Sequence, residues 1–305
     1  MDEEYEGWSP LTDRGDNMSD QAQNLRELMG KSRDLRVISI ASGKGGVGKS
    51  SIAVNLAITM SRLGVRVLIL DADFGLANVD VMLGITTRLD LSYFLRGEKA
   101  LHEIIQLGHE GVHFISGGSG VNELINMQED QLSELLAKIV HINAPVDLII
   151  MDAGAGVSNT IMKVLLASSE TIVVTTSEPT SVLDAYALVK TVVKRDASHP
   201  LHVLANKCEN KNEAISVQTG FVDVCGRHLG KNINPLGLIS YNHDFTAAIK
   251  RQIPITVSEP YGATTREIDA IARAILNMPN ERASYSVLSR VFSRMLGAGR
   301  GAAGV

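Results

Sequence analysis

The segment Gly43-Lys44-Gly45-Gly46-Val47-Gly48-Lys49-Ser50 decides the fold of this chain. It lies between an apolar run from Val37 to Ala41, which predicts a strand, and a helical pattern from Ile52 to Met60. A glycine-rich turn between a strand and a helix is the context of a phosphate-binding loop, because glycine lets successive backbone N–H groups point at phosphate oxygens. The N-terminus of the following helix adds partial positive charge. We therefore predict that this segment binds nucleotide phosphates.

Two side chains of the segment suit a nucleoside triphosphate. Lys49 is spaced to reach the β- and γ-phosphates, and the Ser50 hydroxyl is spaced to ligate Mg²⁺. The alternative is a glycine-rich turn that holds two lysines by chance. The predicted nucleotide-binding residues of the loop are Gly43, Lys44, Gly45, Gly46, Val47, Gly48, Lys49, Ser50 and Ser51.

Length and composition fit one α/β domain with additional terminal segments. The chain has 305 residues, of which 45% are hydrophobic and 21% charged, as in ordinary globular proteins. The formal net charge of −5 does not favour nucleic acid as a partner. The two cysteines, Cys208 and Cys225, are too far apart for a CxxC site, which argues against a disulfide framework and fits a reducing cytoplasm.

Alternating strand and helix patterns predict a doubly wound, mostly parallel sheet flanked by helices. Near-continuous apolar strands indicate a sheet covered on both faces, with the chemistry at the carboxyl ends of the strands. The predicted strands are 36–42, 66–71, 112–116, 146–151, 171–176, 201–206 and 234–239. Neither a signal peptide nor a membrane-spanning run is predicted.

Three acids follow predicted strands and are candidates for the chemistry. Asp71 and Asp73, spaced i and i+2 at one strand end, are predicted to face the same side. Asp152 follows an apolar strand, which suits a carboxylate that holds Mg²⁺ or its water. The alternative for Asp71 and Asp73 is that they cap the following helix.

The loop carries an additional lysine, Lys44, directly after its first glycine. With this lysine the loop resembles the deviant Walker A motif of the MinD/ParA family of ATPases. The resemblance implies ATP and Mg²⁺ as cofactors, and a homodimer in which Lys44 enters the partner's active site. It implies that Asp73 positions the hydrolytic water and that Asp71 supports the water shell of the metal. The catalytic residues would be Asp73, Lys44 and Lys49, and the metal residues Ser50, Asp71 and Asp152. The alternative for Lys44 is an ordinary exposed loop lysine.

Asn206 follows another predicted strand and matches the base-contacting asparagine of the same family. An amide can both donate to and accept from the edge of adenine. The segment Asn206-Lys207-Cys208-Glu209 also resembles the guanine-reading NKxD motif with Glu in place of Asp. The Lys44 motif favours ATP, and an asparagine that simply ends a strand is the alternative.

An N-terminal segment, residues 20–28, reads DQAQNLREL and resembles the DQAxxLR motif of the FlhG group of flagellar regulators. That resemblance implies a helix over residues 19–30 that binds the GTPase FlhF and stimulates its GTP hydrolysis. The residues implied in FlhF binding are Asp20, Gln21, Ala22, Leu25 and Arg26. Residues 1–18 are acidic and predicted to be disordered. The alternative is a helix that packs on its own domain.

A C-terminal helix is predicted over residues 284–296, followed by a flexible tail over 297–305. Its apolar residues recur at helical spacing on one face, while Arg290 and Arg294 lie on the other. A basic amphipathic helix at a chain end favours a reversible membrane anchor, and it matches the membrane-targeting helix of the MinD and FlhG proteins. The alternative is a final helix packed on the core. The predicted membrane-contacting residues are Val287, Leu288, Val291, Phe292, Met295 and Leu296.

Together these features predict an ATPase domain over residues 35–280 that acts as an ATP-dependent dimerisation switch. The resemblance implies a cytoplasmic protein, peripheral on the inner membrane, that sets the number and placement of flagella. It implies flagellar C-ring proteins and a flagellar transcription activator as further partners. The alternatives are a MinD-type selector of the division site and a ParA-type DNA-partition ATPase. An iron–sulfur carrier is disfavoured because the chain lacks a paired CxxC.

Overall fold

The computed structural model describes residues 35–73, 78–118, 135, 138 and 146–277. The strands within these residues are β1 (Arg36–Ser42), β2 (Val67–Ala72), β3 (Gln106–Leu107), β4 (His113–Ile115), β5 (Leu148–Ala155), β6 (Glu170–Thr175), β7 (Leu201–Cys208) and β8 (Asn234–Ser240). They form one sheet with the order β3-β4-β2-β5-β1-β6-β7-β8. All neighbouring pairs are parallel except β3 and β4. The predicted mostly parallel sheet is therefore confirmed.

Helices cover both faces of the sheet. In chain order they are α1 (Lys49–Arg62), α2 (Val79–Leu83), α3 (Leu91–Leu95), α4 (Asn159–Ala167), α5 (Pro179–Arg195), α6 (Lys211–Leu229), α7 (His243–Lys250), α8 (Ile255–Ser258) and α9 (Ala263–Asn277). Alternate residues of β1 enter two separate cores, as the pleat requires. Ile38 and Ile40 pack with α1 and α9, whereas Val37 and Ala41 pack with α4, α5 and α6.

Four strands extend past their predicted ends. β2 continues to Ala72, β5 to Ala155, β7 to Cys208 and β8 to Ser240, so Asp152 lies within its strand rather than after it. Acids and glycines are poor strand formers, but the central strands are hydrogen-bonded on both sides and pairing overrides that preference. The two-residue edge strand β3 was not predicted, because so short a segment carries no periodic signal.

A buried network of charged side chains connects the amino ends of three strands to α9. Arg36 Nε donates to Glu170 Oε1 at 2.5 Å, and Glu170 Oε2 lies 2.8 Å from His202 Nε2. Arg36 also donates to the backbone carbonyl of Ile275 near the end of α9. The network joins β1, β6 and β7 to the helix that precedes the C-terminal segment.

Several predictions fall on other parts of the chain. The acidic tail over 1–18, the helix over 19–30, the helix over 284–296 and the tail over 297–305 lie outside the described residues. Among the helices that the structure describes, none is both long and apolar enough to cross a membrane.

Candidate nucleotide site

The phosphate-binding loop joins β1 to α1 at the carboxyl end of the sheet. Gly46 and Gly48 have φ angles of 77° and 98°, a left-handed region that glycine enters without strain. Gly43 is required for a different reason, since a Cβ there would lie 2.1 Å from the backbone of Asp184 in α5. The N-cap residue of α1 is Gly48, which has no side chain to cap the helix that begins at Lys49. Its first N–H groups therefore suit an anion such as phosphate.

Asp152 is a buried acid beside Lys49 and Ser50, the functional side chains of the loop. Neither of its carboxylate oxygens makes a hydrogen bond of ordinary geometry to the described residues. Burial raises the pKa of Asp152 to about 6, although the charge of Lys49 and the hydroxyl of Ser50 oppose the shift. Buried carboxylate oxygens without partners, beside a serine hydroxyl, fit a hard cation and its water ligands.

Asp71 lies next to Asp152 and organises the loop that follows β2. Its Oδ1 accepts the N–H of Asp73 at 3.1 Å, and its Oδ2 accepts the N–H groups of Asn78 and Val79 at 2.8 and 3.0 Å. These two N–H groups lie at the N-terminus of α2, so Asp71 caps a helix that begins eight residues after it. Burial and the charge of Asp152 raise the pKa of Asp71 to about 8 despite these hydrogen bonds. Asp71 therefore caps the following helix, as the alternative for this residue states. The role of Asp71 toward a metal stays a prediction.

Asp73 directly follows β2 and lies beside the carboxyl end of β5. Its carboxylate lies beside Gly154, where a Cβ would come within 3.3 Å of Asp73 Oδ1. The charge of Asp73 also raises the pKa of Asp152. The structure therefore brings Asp71, Asp73 and Asp152 to one point beside Lys49 and Ser50. Residues 74–77 of the same loop lie outside the described residues.

Lys44 is directed to the rim of the loop and not to the buried acids. Its Nζ donates to Glu178 Oε2 at 2.6 Å and to Thr180 Oγ1 at 3.3 Å, at the start of α5. Both side chains of the ion pair are exposed, Lys44 to 42% and Glu178 to 64%. The contact was not foreseen, because the partners are 134 residues apart and Glu178 belongs to no motif.

Asn206 is buried behind the loop. Its Nδ2 donates to the carbonyl of Val47 at 2.7 Å, and the next residue, Lys207, donates to the carbonyl of Gly46 at 2.8 Å. In the sequence, Lys207 is notable only as part of the resemblance to the NKxD motif, which predicts no contact with the loop. A small cavity of about 30 Å³ adjoins Gly48 and is lined by Asn206, Lys207, Ser240, Tyr241, Asn242 and Phe245 among others. Base contact by Asn206 stays a prediction.

The described residues also bear on three other kinds of site, namely a metal cluster, a reactive cysteine and a second cavity. They contain no group of three or more His, Cys, Asp or Glu side chains arranged to hold a metal by themselves. Cys208 and Cys225 are buried and free, and burial raises both thiol pKa values to about 11. An apolar cavity of about 550 Å³ lies between α5 and α6, away from the loop.

The chain matches a known protein family over most of its length. Residues 35–276 match the ParA family model, described as "NUBPL iron-transfer P-loop NTPase". The P-loop part of that description fits the loop at Gly43–Ser50. Its iron-transfer part finds no support in the two buried cysteines described above.

Two named relatives match most of the chain, and the name of the second refers to the flagellum. The chain is 32% identical over 251 residues to the antiactivator FleN of Pseudomonas aeruginosa, covering 82% of this chain and 90% of that protein. It is 30% identical over 270 residues to the flagellum site-determining protein YlxH of Helicobacter pylori, covering 85% and 91%.

A solved structure agrees in fold. The septum site-determining protein MinD of Pyrococcus horikoshii, complexed with Mg-ADP, superposes with a TM-score of 0.68 at 24% identity, covering 80% of this chain and 96% of that one. Family model, relatives and fold agree with the loop geometry: the chain is a P-loop ATPase of the MinD/ParA family and belongs to its FlhG group of flagellar regulators.

Proposed function

We propose that this protein is an ATP-driven dimerisation switch that sets the number and placement of flagella. The observation that carries the proposal is the position of Lys44. Its ammonium is held at the rim of the loop by Glu178, at an exposed edge, rather than inside its own phosphate site. An exposed cation on the rim of one site can contact the phosphates of a facing subunit. The names of FleN and YlxH support a flagellar role.

Each side chain of the site has a role in the proposed hydrolysis of ATP. Ser50 and Asp152 would hold Mg²⁺, which neutralises phosphate charge when bound, and the unpartnered oxygens of Asp152 fit that task. Lys49 contacts the β- and γ-phosphates. Asp73 orients the attacking water. Asp71 fixes the loop that carries Asp73, through the three backbone hydrogen bonds described above.

The terminal segments would couple this cycle to location. The amphipathic helix predicted over residues 284–296 would bind a membrane weakly by itself, since its apolar face would hold six residues. Two such helices on one dimer make the second insertion intramolecular, which raises avidity by roughly 10²–10⁴-fold. The ATP state would then decide residence on the inner membrane, and hydrolysis would return a cytoplasmic monomer.

The proposed partners follow from the same resemblance. Residues 20–28 bind FlhF and stimulate its GTPase, with the contacts made by Asp20, Gln21, Ala22, Leu25 and Arg26. An antiactivator among the relatives supports a flagellar transcription activator as a second partner. C-ring proteins are the third, and nucleic acid is not proposed as a partner.

The test is GTP hydrolysis by purified FlhF with and without the full-length protein. Native protein is expected to stimulate hydrolysis, and the double variant Gln21→Ala/Arg26→Ala is expected to lose stimulation while its own ATPase activity is unchanged. Equal effects of the two proteins, or no effect of either, would contradict the FlhF assignment. ATP-dependent binding to liposomes against DNA would then separate the MinD-type from the ParA-type alternative.

A further inference from the structure

Lys207 has an unusual backbone conformation. Its φ angle is 58°, in the left-handed region that favours glycine and that a residue with a long side chain rarely adopts. The pairing of β7 with β8 explains the position: Asn206 pairs with Ile239 and Cys208 with Ser240, so Lys207 is the extra residue of a β-bulge. Bulges redirect a side chain out of the regular alternation, and strain of this kind concentrates at functional sites.

The bulge directs Lys207 to the back of the phosphate-binding loop. Its Nζ donates to the Gly46 carbonyl at 2.8 Å, while Asn206 Nδ2 donates to the Val47 carbonyl at 2.7 Å. Two consecutive residues of β7 therefore hold two consecutive carbonyls of the loop. The partners are 161 and 159 residues apart in sequence, so the contacts depend on the register of the folded sheet.

Holding these carbonyls fixes the N–H groups that bind phosphate. In a planar trans peptide the C=O of one residue and the N–H of the next point in opposite directions. A Gly46 carbonyl held by Lys207 therefore turns the Val47 N–H away from β7, and the Val47 carbonyl held by Asn206 does the same for the Gly48 N–H. Glycine at positions 45 and 46 leaves the loop free to adopt other conformations, so an external brace has an effect.

Lys207 also acts on two other features of the site. It lines the small cavity beside Gly48, and its charge contributes to lowering the pKa of Glu178, after the larger effect of the hydrogen bond from Lys44. One side chain thus contacts the loop, borders the cavity and acts on the rim pair. A lysine with only a solubility role would need neither the bulge nor the strained backbone.

We propose that Lys207 is a positioning residue that preorganises the phosphate-binding loop for nucleotide. It acts through the backbone of Gly46 and not on the reacting atoms, so it should govern nucleotide affinity more than turnover. The proposal rests on the ATPase assignment of the site and adds a residue that the motif itself does not include.

Three substitutions at one position test the proposal, with measurement of ATP-analogue affinity, of KM and kcat, and of the nucleotide-free melting temperature. Lys207→Met keeps the stem and loses the ammonium, and should weaken affinity and raise KM about five- to tenfold with kcat within about twofold. Lys207→Arg keeps the charge and the donors and should restore most of the affinity. Lys207→Gly removes the backbone strain, so it should melt no lower than the wild type yet bind nucleotide as weakly as Lys207→Met.

The outcomes separate this proposal from the assignment beneath it. Wild-type affinity and KM in Lys207→Met would overturn the role of Lys207 alone. A change in melting temperature without a change in affinity would also overturn it, because a merely structural lysine behaves in that way. Failure of the wild type to bind ATP would overturn the nucleotide site and the positioning role together.

Discussion

Asp71 and Asp152 are register partners on the adjacent parallel strands β2 and β5, and both are buried. Two carboxylates side by side repel each other when both are charged, and burial adds to the cost of charging either one. Burial raises the pKa of both acids, and the charge of Asp152 raises that of Asp71 further. Charging both acids therefore costs stability, and the proposed Mg²⁺ would offset that cost when bound.

Asp152→Asn should stabilise the nucleotide- and metal-free protein at pH 8 by about 1 kcal/mol, since one pKa unit corresponds to about 1.4 kcal/mol. The folded pKa values, about 8 for Asp71 and about 6 for Asp152, lie above those of the unfolded chain. The native state therefore binds more protons between about pH 4 and pH 8, and wild-type stability falls as pH rises through that window. Denaturant melts should show the gain at pH 8 and little gain at pH 5. The variant should also lose the stabilisation that Mg-ATP gives the wild type; an equal gain at both pH values would contradict this reading.

Two glycines of the loop should respond differently to alanine. Gly43→Ala places a Cβ 2.1 Å from the backbone of Asp184 and should destabilise the nucleotide-free protein by about 3 kcal/mol or more, as overpacking against backbone does. A Cβ at Gly45 meets no atom within 4 Å, so Gly45→Ala should leave the melting temperature unchanged. Any loss of nucleotide affinity in Gly45→Ala then reports the close approach of phosphate. Equal melting temperatures for the two variants would show that β1 and α5 are not packed as described.

Glu178→Gln should make ATP-dependent dimerisation easier, because it releases the Lys44 ammonium from its partner on the same subunit. The pair is exposed and screened by solvent, so the ATP concentration at half-dimerisation should fall by less than about fivefold. Titration by mass photometry at two salt concentrations measures the shift, which should shrink at high salt. A rise in the required ATP concentration would mean that Glu178 itself contacts the partner subunit.

Glu170→Gln should destabilise the protein at pH 7 by about 3 kcal/mol, because it leaves buried Arg36 without its anion. Burial alone would raise the pKa of Glu170, but the hydrogen bonds from His202 and Arg36 outweigh it and hold that pKa below the ordinary value. A lowered carboxyl pKa gives stability that is present at neutral pH and lost as pH falls below about 4.5. The difference between variant and wild type should therefore shrink by pH 3. Glu178→Gln, which breaks an exposed pair, is the matched control and should leave the melting temperature unchanged.

The sequence was sufficient to predict the sheet and the phosphate-binding loop, because both depend on local patterns. Apolar runs such as Leu148–Met151 are strands in any buried parallel sheet, and the glycine spacing around Lys49 has a single common structural use. The spacing of Asp71 and Asp73 also predicted that two acids lie together at the end of one strand.

The contacts that connect the site could not be predicted in this way. The bulge at Lys207 depends on the register between β7 and β8, and the Lys44–Glu178 pair joins residues 134 apart. Neither leaves a periodic pattern in sequence. The capping of α2 by Asp71 was available from sequence as an alternative for Asp71 and Asp73. Which of the two acids makes the contact depends on the path of the loop after β2.

The most direct test of the proposed switch is the mass of the protein with Mg-ATP, measured in an Asp73→Ala background in which hydrolysis is expected to be slow. We predict twice the monomer mass with ATP, monomer with ADP, and monomer in both states when Lys44→Ala is added, while a fluorescent ATP analogue still binds that variant. A full dimer of the Lys44→Ala protein, or a monomer of the Asp73→Ala protein saturated with ATP, would contradict a switch in which Lys44 completes the partner's site.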